Sequence, residues 1–168
     1  MNYFKEGWYL IYTKPRHEKK VYSHLSEKNI NSFLPTRKVL RIWHDRKKYV
    51  DEPLFPSYVF IYINDVRHYY EGIEAEGSLY YVRAGKEIAR VSDNVVDSIR
   101  LASQTAKELE VSDQRFQPGR RLVVSHGPLA GLECEVAQIN NKNKLLVRVE
   151  LLQRTLLVTL PAESLITV

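Results

Sequence analysis

Residues 53–64 read PLFPSYVFIYIN, and this stretch decides how the N-terminal part of the chain folds. Two prolines lead into an apolar run rich in β-branched and aromatic residues, which is typical of a strand. Because side chains alternate along a strand, the aliphatic and aromatic residues fall on opposite faces. One face holds Val59, Ile61 and Ile63, and the other holds Tyr58, Phe60 and Tyr62. The aliphatic face predicts core, whereas the aromatic face needs a partner that is either the protein's own interior or another molecule.

The composition limits the class of protein. The chain has 168 residues, of which 44% are hydrophobic, so we expect one or two small domains with packed cores. No run approaches the ~20 apolar residues that span a bilayer, and the N-terminus lacks the pattern of a signal peptide. The single Cys134 rules out an internal disulfide and fits a reducing compartment. These features predict a cytoplasmic monomer that does not enter membranes.

The positive charge is concentrated in the first third of the chain. The net charge is +5, and residues 1–60 contain 12 Lys/Arg against 6 Asp/Glu, whereas the remainder contains 13 against 14. Such asymmetry indicates a polyanion or an acidic protein surface as partner. A basic solvated face with no partner would produce the same count.

The residues around the opening stretch predict an α+β domain. GWYLIYT (7–13) is typical of a strand, and Thr13 is a candidate cap for a basic helix that runs to Lys28. Residues 31–56 predict a short strand and then a hairpin, with arms at 39–43 and 48–50. A short helical or irregular stretch at 65–78, a strand at 79–85 and a helix that begins at Ser92 or Asp93 complete a mainly antiparallel sheet with flanking helices.

The C-terminal third has a different character. Residues 109–117 are polar and predict a linker between a first domain, 1–108, and a second, 118–168. From residue 118 onward, four or five short β runs alternate with tight turns, which predicts a small β-barrel. A helical hairpin over 143–160 is the alternative, but Val, Leu and Thr with intervening turn residues favour strands.

No catalytic constellation is visible in the sequence. The five histidines show no metal-ligand spacing with Cys134 or with carboxylates, so we expect no metal, no cofactor and no enzymatic activity. Cys134 lies in an alternating β run, which predicts a small core side chain. In contrast, RKVLRIWHDRKK (37–48) mixes cations with apolar residues. Such a hairpin either lies on a nucleic-acid backbone with Trp43 stacked, or is a strand edge protected by charge.

Together these motifs resemble the NusG family of transcription elongation factors. The resemblance rests on WYLIYTKPR (8–16), PLFPSYVFIYIN, the linker and VVSHGPLAGLECEV (123–136), in that order. The last segment resembles a KOW domain, and the opening stretch is similar to specialised RfaH-like and UpxY-like paralogues. The family implies a non-enzymatic factor that binds RNA polymerase and suppresses pausing and termination, here at specific operons such as polysaccharide loci. The alternatives are a housekeeping elongation factor, a KOW-containing RNA-binding or ribosome-associated protein, and a nucleic-acid-modifying enzyme.

The resemblance also implies binding residues. An apolar cavity for the clamp helices of the largest polymerase subunit would be lined by Tyr12, Phe55, Pro56, Tyr58 and Phe60. A contact to the polymerase gate loop would come from His68, Tyr69, Tyr70 and Glu71, which replace a threonine-rich segment. Contacts to non-template DNA would come from Lys14, Arg16, Lys19, Lys20 and His24. Leu129 and Leu132 stand where relatives carry phenylalanines that bind ribosomal protein S10 or Rho.

Overall fold

The computed structural model describes residues 5–105, 109–117, 119–124, 129–139 and 142–159. The chain divides into two units, Met1–Asp93 and Asn94–Val168. The β runs after residue 118 are strands wherever the structure describes them, so the preference for strands over a helical hairpin is confirmed.

The first unit contains the opening stretch in a five-stranded antiparallel sheet. Its strand order is β2-β5-β1-β6, and β9 also pairs with β1. The strands are β1 (Gly7–Thr13), β2 (Ser32–Phe33), β3 (Thr36–Ile42), β4 (Lys47–Pro53), β5 (Tyr58–Ile63), β6 (Ser78–Tyr81), β7 (Arg83–Ala84), β8 (Glu87–Ile88) and β9 (Arg90–Val91). The helices are α1 (Glu18–Glu27) and α2 (Val66–Glu74), and α3 (Asp93–Thr105) begins at the end of this unit.

One face of the sheet packs against α1 and α2. The predicted aliphatic face of β5 is fully buried there, together with Tyr9 and Ile11 of β1 and Tyr81 of β6. Val21 and Leu25 supply the apolar stripe of α1. The hydroxyl of Tyr81 donates to the carbonyl of Tyr69, which satisfies a polar group inside this core. The opposite sheet face therefore carries Tyr58, Phe60 and Tyr62 of β5.

Helix α1 begins later than the sequence predicted. Thr13 is the last residue of β1 rather than a helix cap, and the residue before the helix is His17. Thr13 continues the strand because its backbone N–H donates to the carbonyl of Ser57 at 2.8 Å. In contrast, α2 has a side-chain cap, since the Asp65 carboxylate accepts the N–H of His68 and this hydrogen bond holds the pKa of Asp65 below its usual value.

Two hairpins stand apart from this sheet. Strands β3 and β4 form a two-stranded sheet, as predicted, in register from Thr36 opposite Pro53 to Ile42 opposite Lys47. The turn is closed by the Trp43 N–H, which donates to the Arg46 carbonyl at 2.8 Å. Strands β7 and β8 form a much shorter pair.

The second unit contains another five-stranded antiparallel sheet, in the order β10-β14-β13-β12-β11. Its strands are β10 (Leu109–Ser112), β11 (Arg120–Val123), β12 (Glu133–Ile139), β13 (Lys142–Val149) and β14 (Arg154–Thr159), with a 3₁₀ turn at Glu150–Leu152. The first four residues of the predicted linker are thus a strand, which pairs with β14 from Leu109 opposite Val158 to Ser112 opposite Thr155. This pairing ties the chain after α3 to the C-terminal sheet.

The remainder of the predicted linker is held by a charged pair. Arg148 donates to the carbonyls of Phe116 and Gln117 at 3.0 and 3.2 Å, and to the carboxylate of Glu135. The N–H of Gly119 donates to the same carboxylate. Burial opposes ionisation of Glu135, but these hydrogen bonds hold its pKa below the usual value. The pair therefore fixes where the chain enters β11.

Candidate polymerase-binding surface

Three tyrosines lie side by side, in register, on the sheet face opposite α1 and α2. Tyr12 of β1 lies opposite Tyr58 of β5 and opposite Tyr80 of β6. The ring centroids of Tyr12 and Tyr58 are 5.3 Å apart, and those of Tyr12 and Tyr80 are 5.0 Å apart with the rings nearly parallel. Tyr80 is 53% exposed, and the other two are partly exposed. We call Tyr58, Tyr12 and Tyr80 the tyrosine ladder.

The other aromatic residues of this face are buried. Phe60 is fully buried, with its ring 5.7 Å from Phe33 and 6.4 Å from Phe55. Trp8 and Tyr62 meet edge to face at 5.4 Å further along the same two strands. The sequence placed Phe55 and Phe60 in the lining of a cavity. Both rings are buried, so they pack against neighbouring side chains and present little surface to solvent.

The loop that leads into β5 is fixed from two sides. The buried carboxylate of Glu18 on α1 accepts the backbone N–H of Ser57 at 2.8 Å, and the Ser57 carbonyl accepts the N–H of Thr13 at 2.8 Å. Ser57 has φ +71°, a left-handed conformation that costs a non-glycine residue roughly 1–2 kcal/mol. Pro56, just before it, is exposed. These bonds set the position of Pro56 and Tyr58 at the end of the tyrosine ladder.

The segment predicted to contact the gate loop lies on α2, and its four residues point in different directions. His68 is buried, and Tyr69 stacks on Tyr81 with centroids 4.8 Å apart. Tyr70 is exposed, whereas Glu71 is partly buried and its carboxylate lies 3.0 Å from Nε2 of His24 on α1. Of the four, Tyr70 alone presents most of its side chain to solvent.

The residues predicted to contact DNA begin at the end of β1 and continue along α1. The lysines and the arginine of this set, Lys14, Arg16, Lys19 and Lys20, are exposed. Lys19 donates to the backbone carbonyl of Asp51 at 2.8 Å, and Lys20 lies 3.7 Å from a Glu76 carboxylate oxygen. His24 is partly buried, and its Nε2 lies 3.0 Å from a Glu71 carboxylate oxygen. The segments predicted to contact DNA and the gate loop are therefore in contact with each other through His24 and Glu71.

In the C-terminal sheet, the two leucines predicted to bind a partner differ. Leu129 is partly exposed, but Leu132 is fully buried, and its N–H donates to the Leu129 carbonyl at 3.0 Å. Of the two side chains, Leu129 is therefore the one accessible from solvent at this turn. The first part of the predicted turn, Gly127–Pro128, lies outside the described residues.

Metal, thiol and membrane features add little to this surface. Among the described residues, no group of three His, Cys, Asp or Glu side chains is placed to hold a metal ion. Cys134 is buried, as predicted, and burial together with the charge of Glu135 raises its pKa to about 11. Within the same residues, no helix is long and apolar enough to cross a membrane.

Sequence reasoning missed two residues of the candidate surface. Tyr80 completes the tyrosine ladder, but its register with Tyr12 depends on strand pairing that local sequence does not reveal. Glu18 is a buried carboxylate in the first turn of α1 that accepts the backbone N–H of Ser57, a contact between residues far apart in sequence. The alternation in LYY (79–81) was a usable signal for Tyr80, because Tyr81 faces the core and its neighbour must face the other way.

The fold is an α+β unit followed in the chain by a unit with an antiparallel β-sheet. A family model described as "Transcription termination factor nusG" matches residues 6–100, which cover most of the first unit and part of α3. The chain belongs to the NusG family, whose members are transcription factors and not enzymes. The family-level resemblance is thereby confirmed, while membership of a specialised RfaH-like or UpxY-like branch stays a prediction.

One solved structure agrees with this assignment at the level of the fold. The structure described as "Domain interaction in Thermotoga maritima NusG" matches with a TM-score of 0.52 and 19% identity, over 95% of this chain and 95% of that chain. A weaker likeness, with a TM-score of 0.32 and 13% identity, is to a chain of the MjSpt4:Spt5 complex in conformation B, over 85% of this chain and 84% of the other.

Proposed function

We propose that this protein is a transcription elongation and antitermination factor that binds RNA polymerase through the tyrosine ladder and suppresses pausing and termination. The observation that carries the proposal is the exposed row of Tyr58, Tyr12 and Tyr80 on the sheet face opposite α1 and α2. Membership of the NusG family supports a role in transcription. The row of tyrosines offers apolar rings and hydroxyl groups that could contact a polymerase helix.

The partner that suits this surface is a pair of amphipathic helices, the clamp helices of the largest polymerase subunit. Tyrosine rings bury apolar area against such helices while their hydroxyls stay hydrogen-bonded at the rim. If three rings each bury ~100 Å², the gross gain is ~7 kcal/mol at 25 cal/mol/Å², before the cost of association. Three partly exposed side chains are therefore enough to matter for affinity.

The remaining predicted contacts differ in how exposed their side chains are, and therefore in how directly they could touch a partner. Phe55 and Phe60 are buried, so of the apolar residues just before and within β5 it is Pro56 that is exposed beside Tyr58. Tyr70 is the residue of its segment with the best access to a gate loop. The exposed cations Lys14, Arg16, Lys19 and Lys20 suit the phosphates of non-template DNA. Leu129 is the candidate contact in a C-terminal KOW-type barrel for S10 or Rho. Such a factor acts in the cytoplasm.

The target range of the factor is a separate part of the proposal. We favour action at specific operons such as polysaccharide loci over a housekeeping role, because of the PLFPSYVF match to specialised paralogues. Chromatin immunoprecipitation of the protein separates the two. Signal confined to a few long operons supports the specialised role, and signal that follows polymerase across the genome supports the housekeeping role.

The test of polymerase binding is the double variant Tyr12→Ala with Tyr58→Ala. We expect at least a 30-fold loss of affinity for core polymerase in a titration, with an unchanged circular dichroism spectrum. Tyr22→Ala, which removes an exposed ring from α1, is the control and should bind normally. Wild-type affinity in a folded double variant would reject the proposed surface. A pull-down that recovers ribosomes but no polymerase would instead favour a ribosome-associated protein.

A further inference from the structure

We infer that the β3–β4 hairpin is a second binding surface, for single-stranded DNA, that the polymerase contact does not use. Exposed apolar side chains on this hairpin alternate with exposed cations, and the hairpin adjoins the basic face of α1. The choice of DNA over RNA rests on the proposed function, in which α1 faces the non-template strand. The hairpin contact itself rests on the geometry described below.

The hairpin exposes more apolar surface than its own fold requires. Among the residues that the structure describes, β3 and β4 pair only with each other. Leu40 lies opposite Tyr49, and Ile42 lies opposite Lys47, so the apolar side chains share one face of the ribbon. Ile42 is 69% exposed and Tyr49 is 67% exposed. These neighbouring exposed apolar side chains on one face of the ribbon make it a candidate contact site.

The positive charge around this patch favours an anionic partner. Residues 36–53 contain six Lys/Arg and three Asp/Glu. Arg41 pairs with Glu52, while Lys38, Lys47 and Lys48 are exposed. Cations that surround stackable rings fit single-stranded nucleic acid, in which phosphates and base faces are both accessible. An acidic protein could pair its carboxylates with the cations, but carboxylates do not stack on the aromatic rings that lie between them.

The tip of the hairpin carries a stacking platform. Trp43 is 45% exposed, and Cζ of Arg46 lies 5.4 Å from its ring centroid, which is a cation–π contact. Planar indole and guanidinium groups are both surfaces on which bases stack. The backbone hydrogen bond between these two residues closes the turn and holds the pair in place.

The hairpin and α1 form one continuous basic surface. Lys19 of α1 donates to the backbone carbonyl of Asp51 on β4, which holds the two elements side by side. A seven-residue strand is about 24 Å long, enough for several nucleotides to lie along the ribbon. Non-template DNA held by Lys14, Arg16 and Lys20 would therefore reach the hairpin without leaving the protein surface.

The test uses the full chain and a fluorescein-labelled dT12 oligonucleotide, with affinity measured by anisotropy. Trp43→Ala with Tyr49→Ala should weaken binding at least 10-fold, since stacking contributes roughly 1–3 kcal/mol per base. The control, Tyr22→Ala, removes an exposed ring outside the hairpin and should bind normally. Trp43→Phe keeps a stacking ring and should retain most of the affinity.

A second pair of variants tests the charges. Lys47→Gln with Lys48→Gln should reduce the slope of log K against log salt by about 1.4, from ~0.7 per phosphate contact. Lys28→Gln with Lys86→Gln removes the same charge from exposed positions outside the hairpin and should leave the slope unchanged. Equal effects of the two pairs would mean that only net charge matters, and would overturn the hairpin site.

Three other outcomes also overturn the proposal. These are wild-type dT12 affinity in the folded aromatic variant, tighter binding of rU12 than of dT12, and competition by polyglutamate as effective as by unlabelled dT12. The proposed polymerase binding is tested separately from the hairpin site. Hairpin variants should bind polymerase normally, and Tyr12→Ala with Tyr58→Ala should bind dT12 normally, so each surface is tested without the other.

Discussion

The tyrosine ladder and the β3–β4 hairpin both expose aromatic rings, but they are built differently. The ladder lies on a five-stranded sheet that packs α1 and α2 against its other face. The hairpin is a two-stranded ribbon with cations between its apolar side chains. A rigid and weakly charged surface suits a folded protein partner, whereas a basic ribbon suits a flexible polyanion. The structure that supports each surface, a packed sheet or a two-stranded ribbon, is therefore consistent with a different kind of partner.

The largest expected difference concerns stability. Ile61→Ala removes a fully buried side chain behind the ladder and should lower the free energy of unfolding by about 3 kcal/mol. Ile42→Ala makes the same chemical change on the hairpin and should cost no more than about 0.5 kcal/mol, because Ile42 is largely exposed. Urea unfolding followed by circular dichroism measures both. Similar losses would mean that the hairpin is packed more tightly than its exposure indicates.

Salt should separate the two surfaces next. If five cations contact DNA phosphates, the slope of log K against log salt is about −3.5, so raising salt from 50 to 200 mM weakens DNA binding ~100-fold. Binding of polymerase by the ladder should change much less over this range, because the contacts are mainly apolar. Titrations at four salt concentrations test this. A DNA slope near zero would reduce α1 and the hairpin to a solvated basic face.

The support of the ladder by α1 gives a third comparison. Glu18→Ala leaves the N–H of Ser57 without its carboxylate partner and should lower the free energy of unfolding by about 2 kcal/mol. Glu18→Gln keeps an oxygen acceptor and should cost less. Glu27→Ala, at an exposed position of the same helix, serves as the control. Thermal unfolding measures all three, and a Glu18→Ala protein as stable as the control would contradict this role of the carboxylate.

Tyr80 tests how far the ladder extends. Tyr80→Ala should weaken polymerase binding about 10-fold, because a ring that buries ~100 Å² contributes roughly 2 kcal/mol before compensating losses. Tyr80→Phe keeps the ring and should bind nearly as well as the wild-type protein. The same Tyr80 variants should leave dT12 affinity unchanged, which keeps this test distinct from the hairpin. Normal polymerase affinity in Tyr80→Ala would confine the surface to Tyr12 and Tyr58.

The smallest effect concerns Ser57. Its left-handed backbone costs roughly 1–2 kcal/mol for a non-glycine residue, and Ser57→Gly removes that cost while adding chain entropy to the unfolded state. We expect a net stabilisation of about 0.5 kcal/mol in urea unfolding, with polymerase affinity preserved. Asn64→Gly, at an exposed loop position, is a suitable reference. A clear loss of stability would show that the serine side chain stabilises the loop.

Alternation along PLFPSYVFIYIN predicted the two faces of β5, because side chains in a strand must alternate. It did not predict that Phe60 is buried while Tyr58 is not, since burial depends on neighbours such as Phe33 that arrive from another strand. The hairpin was predictable because both arms and the turn are local in sequence. The strand Leu109–Ser112 was assigned to a linker because its partner, β14, lies more than 40 residues away.

The positions of the two tryptophans provide an internal optical reporter for each region. Trp8 is buried in the N-terminal sheet against Tyr62, whereas Trp43 is at the hairpin tip beside Arg46. Emission from Trp8 should lie to the blue and follow unfolding of the sheet. Emission from Trp43 should lie to the red, respond to acrylamide and be quenched by stacked bases. Trp43→Phe and Trp8→Phe proteins would therefore allow folding and DNA contact to be followed separately without an attached dye.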